Sequence, residues 1–127
     1  MIQQVAQKLI DNGIFIIPLL PNEKKNWDKD ILTKDYKVSD LIPNGNLGIN
    51  LKKCGWYCID LDSAYAIHFG SQWLPRNTRI HGRINQGKKE LTHFFFKSDE
   101  SLKENNPIKN EDAELFVDHN IVIYGTT

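Results

Sequence analysis

The chain has little cysteine and no long apolar run. Its two cysteines, Cys54 and Cys58, are too few for a disulfide scaffold. They are separated by three residues and lead into an apolar segment. We therefore interpret both as small core hydrophobes rather than zinc ligands, which fits a reducing cytoplasm. The apolar run at residues 14–20 contains Pro18 and is seven residues long, whereas a membrane-spanning helix needs about 20. We expect neither a membrane span nor a secretory signal.

An excess of charge of one sign is also missing. Lys and Arg total 16, as do Asp and Glu, so the formal net charge is zero. A uniformly basic surface for nucleic acid is thereby excluded, and any basic patch must be local. The apolar fraction of 40% and the charged fraction of 25% are those of a globular protein. Because no repeat or linker divides the 127 residues, we expect one domain over residues 1–127.

The apolar patterns predict an α+β domain with a mainly antiparallel sheet and flanking helices. Helices are predicted at residues 2–12 and from the N-cap Ser63 to about Phe69, ending near Gly70. A turn is predicted at Lys52-Lys53. The predicted strands are residues 14–18, 46–51, 55–61, 78–81, 91–97, 113–117 and 121–124. We expect the last two strands to pair as a hairpin around residues 118–120.

Two acidic residues close an apolar strand at Tyr57-Cys58-Ile59-Asp60-Leu61-Asp62. Side chains alternate along a strand, so Asp60 and Asp62 project to the same side, roughly 7 Å apart. Two carboxylates so placed repel each other unless a cation lies between them. Hard divalent ions such as Mg²⁺ and Mn²⁺ prefer oxygen ligands, so the pair is a candidate metal site. An acidic pair can also simply end a strand at a solvated loop.

Two later strands carry further candidates. His93 lies inside an aromatic strand, where it is either a core histidine or a site residue. Glu114 lies among apolar neighbours, and burying a lone carboxylate costs several kcal/mol. Glu114 must therefore face solvent or meet a cation. Asp118 is near in sequence, although turn chemistry explains it equally well.

Basic candidates lie in two loops. His81-Gly82-Arg83 opens a polar segment, in which glycine lets the backbone approach a phosphate and arginine makes paired hydrogen bonds to its oxygens. Lys24 and Lys25 can add to that positive surface. With the acids, these residues make up the inventory of a phosphoryl-transfer site, in which two metal ions activate a hydroxyl and stabilise the leaving pyrophosphate.

The order of these motifs resembles the catalytic domain of archaeo-eukaryotic primases, specifically the bifunctional primase–polymerase group of plasmids, phages and mobile elements. Ile59-Asp60-Leu61-Asp62 is similar to the acidic motif of that family, and Thr92-His93-Phe94 to its histidine strand. His81-Gly82-Arg83 and the strands at residues 113–124 follow the family order. The opening is similar too: a strand ending in Pro18, lysines before Trp27, and Asn46-Leu47-Gly48-Ile49.

The resemblance implies a primase–polymerase core of the RRM-like type and a DNA primase or polymerase activity. It implies that Asp60, Asp62 and Glu114 bind two Mg²⁺ or Mn²⁺ ions, and that His93 and Arg83 contact the incoming triphosphate. His81, Lys24 and Lys25 are further nucleotide-binding candidates. The implied partners are a single-stranded DNA template, nucleoside triphosphates, and a helicase or other replication domain. We accordingly expect a cytoplasmic domain from the N-terminal part of a longer replication protein.

Some alternatives stay open from the sequence. Phe116 stands where many family members have arginine, and Asp118 competes with Glu114 as the third acid. A metal-dependent nuclease could use the same acids. A non-catalytic module that binds single-stranded DNA or nucleotide would also fit, as would a domain whose acids are only surface charges.

Overall fold

The structure is a computed structural model that describes residues 1–73, 79–80, 93–98, 112–117 and 120–125. In these ranges seven strands divide between two antiparallel sheets. The strands are β1 (Ile16–Leu19), β2 (Asn46–Asn50), β3 (Tyr57–Leu61), β4 (Arg79–Ile80), β5 (His93–Phe96), β6 (Ala113–Phe116) and β7 (Asn120–Tyr124). The helices are α1 (Ile2–Asp11), α2 (Leu51–Cys54) and α3 (Ala64–Trp73), with a 3-10 helix at Val38–Asp40. The predicted α+β class is confirmed.

The first sheet has the order β1-β2-β7. Its central strand places Ile49 opposite Ile16 of β1 on one side and Ile121 of β7 on the other. Gly48 of β2 pairs with Ile17 of β1 and with Val122 of β7. A Cβ atom there would be 3.1 Å from Leu19 Cδ1 and 3.2 Å from the Ile121 carbonyl oxygen. The absence of a side chain therefore lets the two flanking strands close on β2.

The second sheet has the order β4-β5-β3-β6, with β3 paired on both sides. One face of this sheet turns toward the first sheet, because Cys58 and Phe95 pack into the same apolar cluster as residues of β1, β2 and β7. The opposite face carries Leu61 and Phe94, which pack against Ala66 of α3. The two sheets thus enclose one apolar layer, and α3 covers the outer side of the second sheet.

The helices form largely where the sequence predicts them. α1 buries Ala6 and packs Ile2, Val5, Leu9 and Ile10 against the core, as its apolar spacing requires. The Ala66 amide donates to Ser63 Oγ at 3.0 Å, which confirms Ser63 as the N-cap of α3. α3 continues past Gly70, since an interior glycine costs a helix only about 1 kcal/mol. No described helix is long and apolar enough to cross a membrane.

Two local predictions are wrong. The predicted turn at Lys52-Lys53 lies in α2, because Asn50 Oδ1 accepts a hydrogen bond from the Lys53 amide and Gly55 ends the helix at φ 66°. The predicted hairpin of the last two strands does not form, since β6 pairs with β3 and β7 pairs with β2. The two strands belong to different sheets, so the chain crosses between the sheets after Val117.

The two cysteines lie in and beside the inter-sheet core. Cys58 is fully buried, and burial raises the pKa of its thiol well above the ordinary value. Burial also raises the pKa of the half-buried Cys54, whose sulfur accepts a hydrogen bond from the Phe15 amide. Cys58 lies in the apolar cluster between the sheets and Cys54 packs against it.

Candidate active site

Three of the predicted site residues lie side by side on the second sheet. Asp60 of β3 pairs with His93 of β5 on one side and with Glu114 of β6 on the other. Directly opposed residues of an antiparallel pair share a face, with Cβ atoms about 4.5–5.5 Å apart. His93, Asp60 and Glu114 therefore form one row across three strands, which we call the acidic row. His93 is 33 positions and Glu114 is 54 positions from Asp60 in the sequence. The three residues therefore meet only through the strand register.

The acidic row lies directly beyond an apolar row on the same face. Two residues before Asp60 in β3 and two residues after His93 and Glu114 in β5 and β6, Cys58, Phe95 and Phe116 pair in the same way and pack into the inter-sheet core. Cys58 is fully buried, the Asp60 side chain is 23% exposed, and Asp62 is exposed. The face thus passes from the core to water along β3. The carboxylates thus lie at the solvent-exposed end of this face, and the apolar row packs the three strands against the core.

His93 is the most enclosed member of the acidic row. Its side chain is 11% exposed, and its Nε2 lies 3.2 Å from Asp60 Oδ1. An Nε2–H group in this position donates to the carboxylate and fixes its orientation. The other ring nitrogen, Nδ1, is buried and has no hydrogen-bond partner among the described residues. The polar contact that the structure shows for His93 is therefore with Asp60, and its ring also meets Phe95 edge-on.

A second acidic pair follows the first at the strand end. The Asp62 amide donates to the Asp112 carbonyl oxygen at 2.7 Å, which continues the pairing of β3 and β6 by one more residue. Ser63 Oγ donates to Asp112 Oδ1 at 2.7 Å and accepts from the Ala66 amide. The end of β3, the start of β6 and the N-terminus of α3 are thus joined around Asp112.

Carboxylate oxygens are the type of ligand that a hard divalent ion prefers. Like charges directly opposed on a sheet are destabilising, and a cation near Asp60 and Glu114 would relieve that repulsion. Over the described ranges, no group of three or more His, Cys, Asp or Glu side chains is gathered as a ready metal site. Mg²⁺ is commonly held by only one or two carboxylates together with substrate phosphates. Asp60 and Glu114 offer oxygen donors of the type that such an ion prefers.

The basic candidates are distributed differently. Lys24 and Lys25 lie in the loop after β1, which hydrogen bonds hold against the first sheet: Asn26 Nδ2 donates to the Pro18 carbonyl, and Asn46 Nδ2 to the Glu23 carbonyl. Lys25 is exposed and forms an ion pair with Glu23 at 3.3 Å. These lysines are thus carried by the first sheet, whereas the acidic row is carried by the second.

Three of the predictions lie outside the described residues. They concern His81, Arg83 and Asp118.

Asp112 is the residue that the sequence analysis missed. A signal for it exists, since Asp112-Ala113-Glu114 repeats the acidic alternation of Asp60-Leu61-Asp62. Two such segments paired in antiparallel register give two facing acidic pairs, which neither segment reveals alone.

In comparisons with known proteins, the sequence matches no protein-family model and no curated protein.

Proposed function

We propose that this domain is a metal-dependent nucleotidyltransferase of the primase–polymerase type, built on an RRM-like core. It would add nucleotides from a nucleoside triphosphate to a primer or first nucleotide on a single-stranded DNA template and release pyrophosphate. The observation that carries this proposal is the acidic row, in which Asp60 and Glu114 face each other while His93 contacts Asp60. The domain would work in the cytoplasm beside a helicase or other replication domain.

The residues of the acidic row and Asp62 would bind the metal ions and orient their ligands. Asp60, Asp62 and Glu114 would hold two Mg²⁺ or Mn²⁺ ions, which supply charge neutralisation and a more acidic 3′-hydroxyl when bound. His93 would orient Asp60 through its Nε2–H group. The 3′-hydroxyl would lose its proton to solvent as its oxygen bonds to the α-phosphorus. The bond from that phosphorus to the oxygen shared with the β-phosphate would break, and pyrophosphate would leave with that oxygen.

The phosphate-binding residues of this proposal come from the loops. Arg83, with His81, Lys24 and Lys25, would neutralise the triphosphate, whose negative charge grows on the leaving group as the bond breaks. Arginine suits this role because its planar donors match two phosphate oxygens at once. Because the net charge of the chain is zero, template affinity must come from such local groups, and it is expected to fall as salt rises.

The test is a primer-extension assay. The protein is incubated with Mn²⁺, labelled nucleoside triphosphates and single-stranded DNA, either primed or unprimed. We expect template-dependent products, and we expect EDTA to abolish them and excess Mn²⁺ to restore them. Extension of the primed template alone would identify a polymerase without priming activity. No product from either template at saturating Mn²⁺ would contradict the proposed function.

A further inference from the structure

We propose that Asp112 is a positioning residue that sets the metal affinity of the site through Asp62. This inference rests on the proposed function and deepens it. The contacts of Asp112 connect the end of β3, the start of β6 and the N-terminus of α3 at one point.

The first contact acts on the backbone of Asp62. Asp62 is exposed and lies just past the end of β3, where the strand's own pairing no longer holds it. The hydrogen bond from its amide to the Asp112 carbonyl, at 2.7 Å, extends the ladder by one residue. This hydrogen bond fixes the backbone position from which the Asp62 carboxylate extends. On a free loop, metal binding would have to order the same backbone at a cost in conformational entropy.

The second contact holds Asp112 itself. Its Oδ1 accepts from Ser63 Oγ at 2.7 Å, and Ser63 is both the residue after Asp62 and the N-cap of α3. Asp62 therefore lies beside a residue anchored to β6 through its side chain and to α3 through its cap. Removing a group that contacts a metal ligand directly typically changes metal affinity by about 10–100-fold. The Asp112 carboxylate acts one residue away, through Ser63, so we expect an effect at the lower end of that range.

The test uses Mn²⁺ alone as the probe, with free Mn²⁺ followed by electron paramagnetic resonance during titration of the wild type and variants. Asp112→Ala removes the acceptor for Ser63, and we expect about tenfold weaker Mn²⁺ binding. Asp112→Asn keeps an oxygen that can accept from Ser63, so we expect binding within about threefold of the wild type. Ser63→Ala is expected to weaken binding as well, and Ser39→Ala, an exposed serine of the 3-10 helix, is the matched control.

The outcomes separate this inference from the proposed function. Wild-type Mn²⁺ binding that Asp60→Asn removes and Asp112→Ala leaves unchanged would overturn the role of Asp112 and leave the proposed function standing. Equal losses in Asp112→Ala and Asp112→Asn would also overturn it, because the charge and not the contact with Ser63 would matter. No Mn²⁺ binding by the wild type would overturn both. Thermal unfolding of each variant checks that a loss of binding is not a loss of folding.

Discussion

Replacing Asp60 by asparagine is expected to lower template-dependent incorporation by about 10³-fold, the scale of losing one preorganised charged group at a reacting centre. Asp60 is central to the acidic row, and it is the residue that β3 places between His93 and Glu114. Asparagine has the same shape and keeps an oxygen that can accept from His93 Nε2. The variant therefore removes the negative charge with little change in packing.

A matched control separates charge at the site from charge elsewhere. Asp35→Asn also removes one carboxylate, but Asp35 is 74% exposed and forms an ion pair with Lys53 away from the acidic row. Exposed pairs contribute at most about 1 kcal/mol, so we expect wild-type incorporation from this control. Asp60→Asn with more than a tenth of the wild-type rate and an unchanged Mn²⁺ requirement would contradict the assignment.

Replacing His93 by alanine is expected to lower kcat by about 100-fold. The ring lies 3.2 Å from Asp60 and is almost enclosed, so its removal frees the carboxylate to turn and leaves a cavity beside it. His93→Gln restores a side-chain N–H donor near Asp60, and we expect it to recover most of the loss.

The division between kcat and KM tests how His93 acts. If His93 orients Asp60, the variant needs more Mn²⁺ and loses kcat, while the KM for nucleoside triphosphate changes little. If His93 instead binds the triphosphate, as the family resemblance implies, KM rises and the Mn²⁺ requirement does not change. We expect the first pattern, since the described contact of Nε2 is with Asp60. Steady-state kinetics at several fixed Mn²⁺ concentrations distinguishes the two patterns.

Local signals in the sequence predicted the elements whose causes are local. The apolar spacing at residues 2–12 gave the observed α1, and the hydroxyl of Ser63 predicted where α3 begins. The short α2 escaped prediction although its signals are present, because an Asn cap and a left-handed glycine with four residues between them also fit a turn. Four residues are too few for a periodic apolar pattern to distinguish the two.

Strand pairing depended on contacts that no local pattern contains. Residues 118–120 have good turn chemistry, which favoured a hairpin, yet Phe116 packs beside Cys58 while Ile121 packs beside Ile49. The two strands line opposite sides of the inter-sheet core, and a hairpin would have placed both in one sheet. Burial of apolar side chains from both sheets outweighs a local turn preference.

In the candidate site, too, the local features were predictable from the sequence and the strand pairing was not. The spacing of Asp60 and Asp62 predicted two carboxylates on one side of a strand, because alternation is a local property. Which residues face them depends on the register of β5 and β6 against β3, and that register brings His93 and Glu114 to Asp60. Asp112 was not predicted, because its place opposite Asp62 depends on the register of β6 against β3.

The most direct measurement follows the two ends of the nucleotide separately. A nucleoside triphosphate labelled at the α-phosphate in one reaction and at the γ-phosphate in another is incubated with the protein, Mn²⁺ and a primed template. We expect the α label to enter the polynucleotide and the γ label to be recovered as pyrophosphate. With the Asp60→Asn variant we expect neither labelled product. Release of the γ label as inorganic phosphate, with no α label in the polynucleotide, would contradict the proposed function.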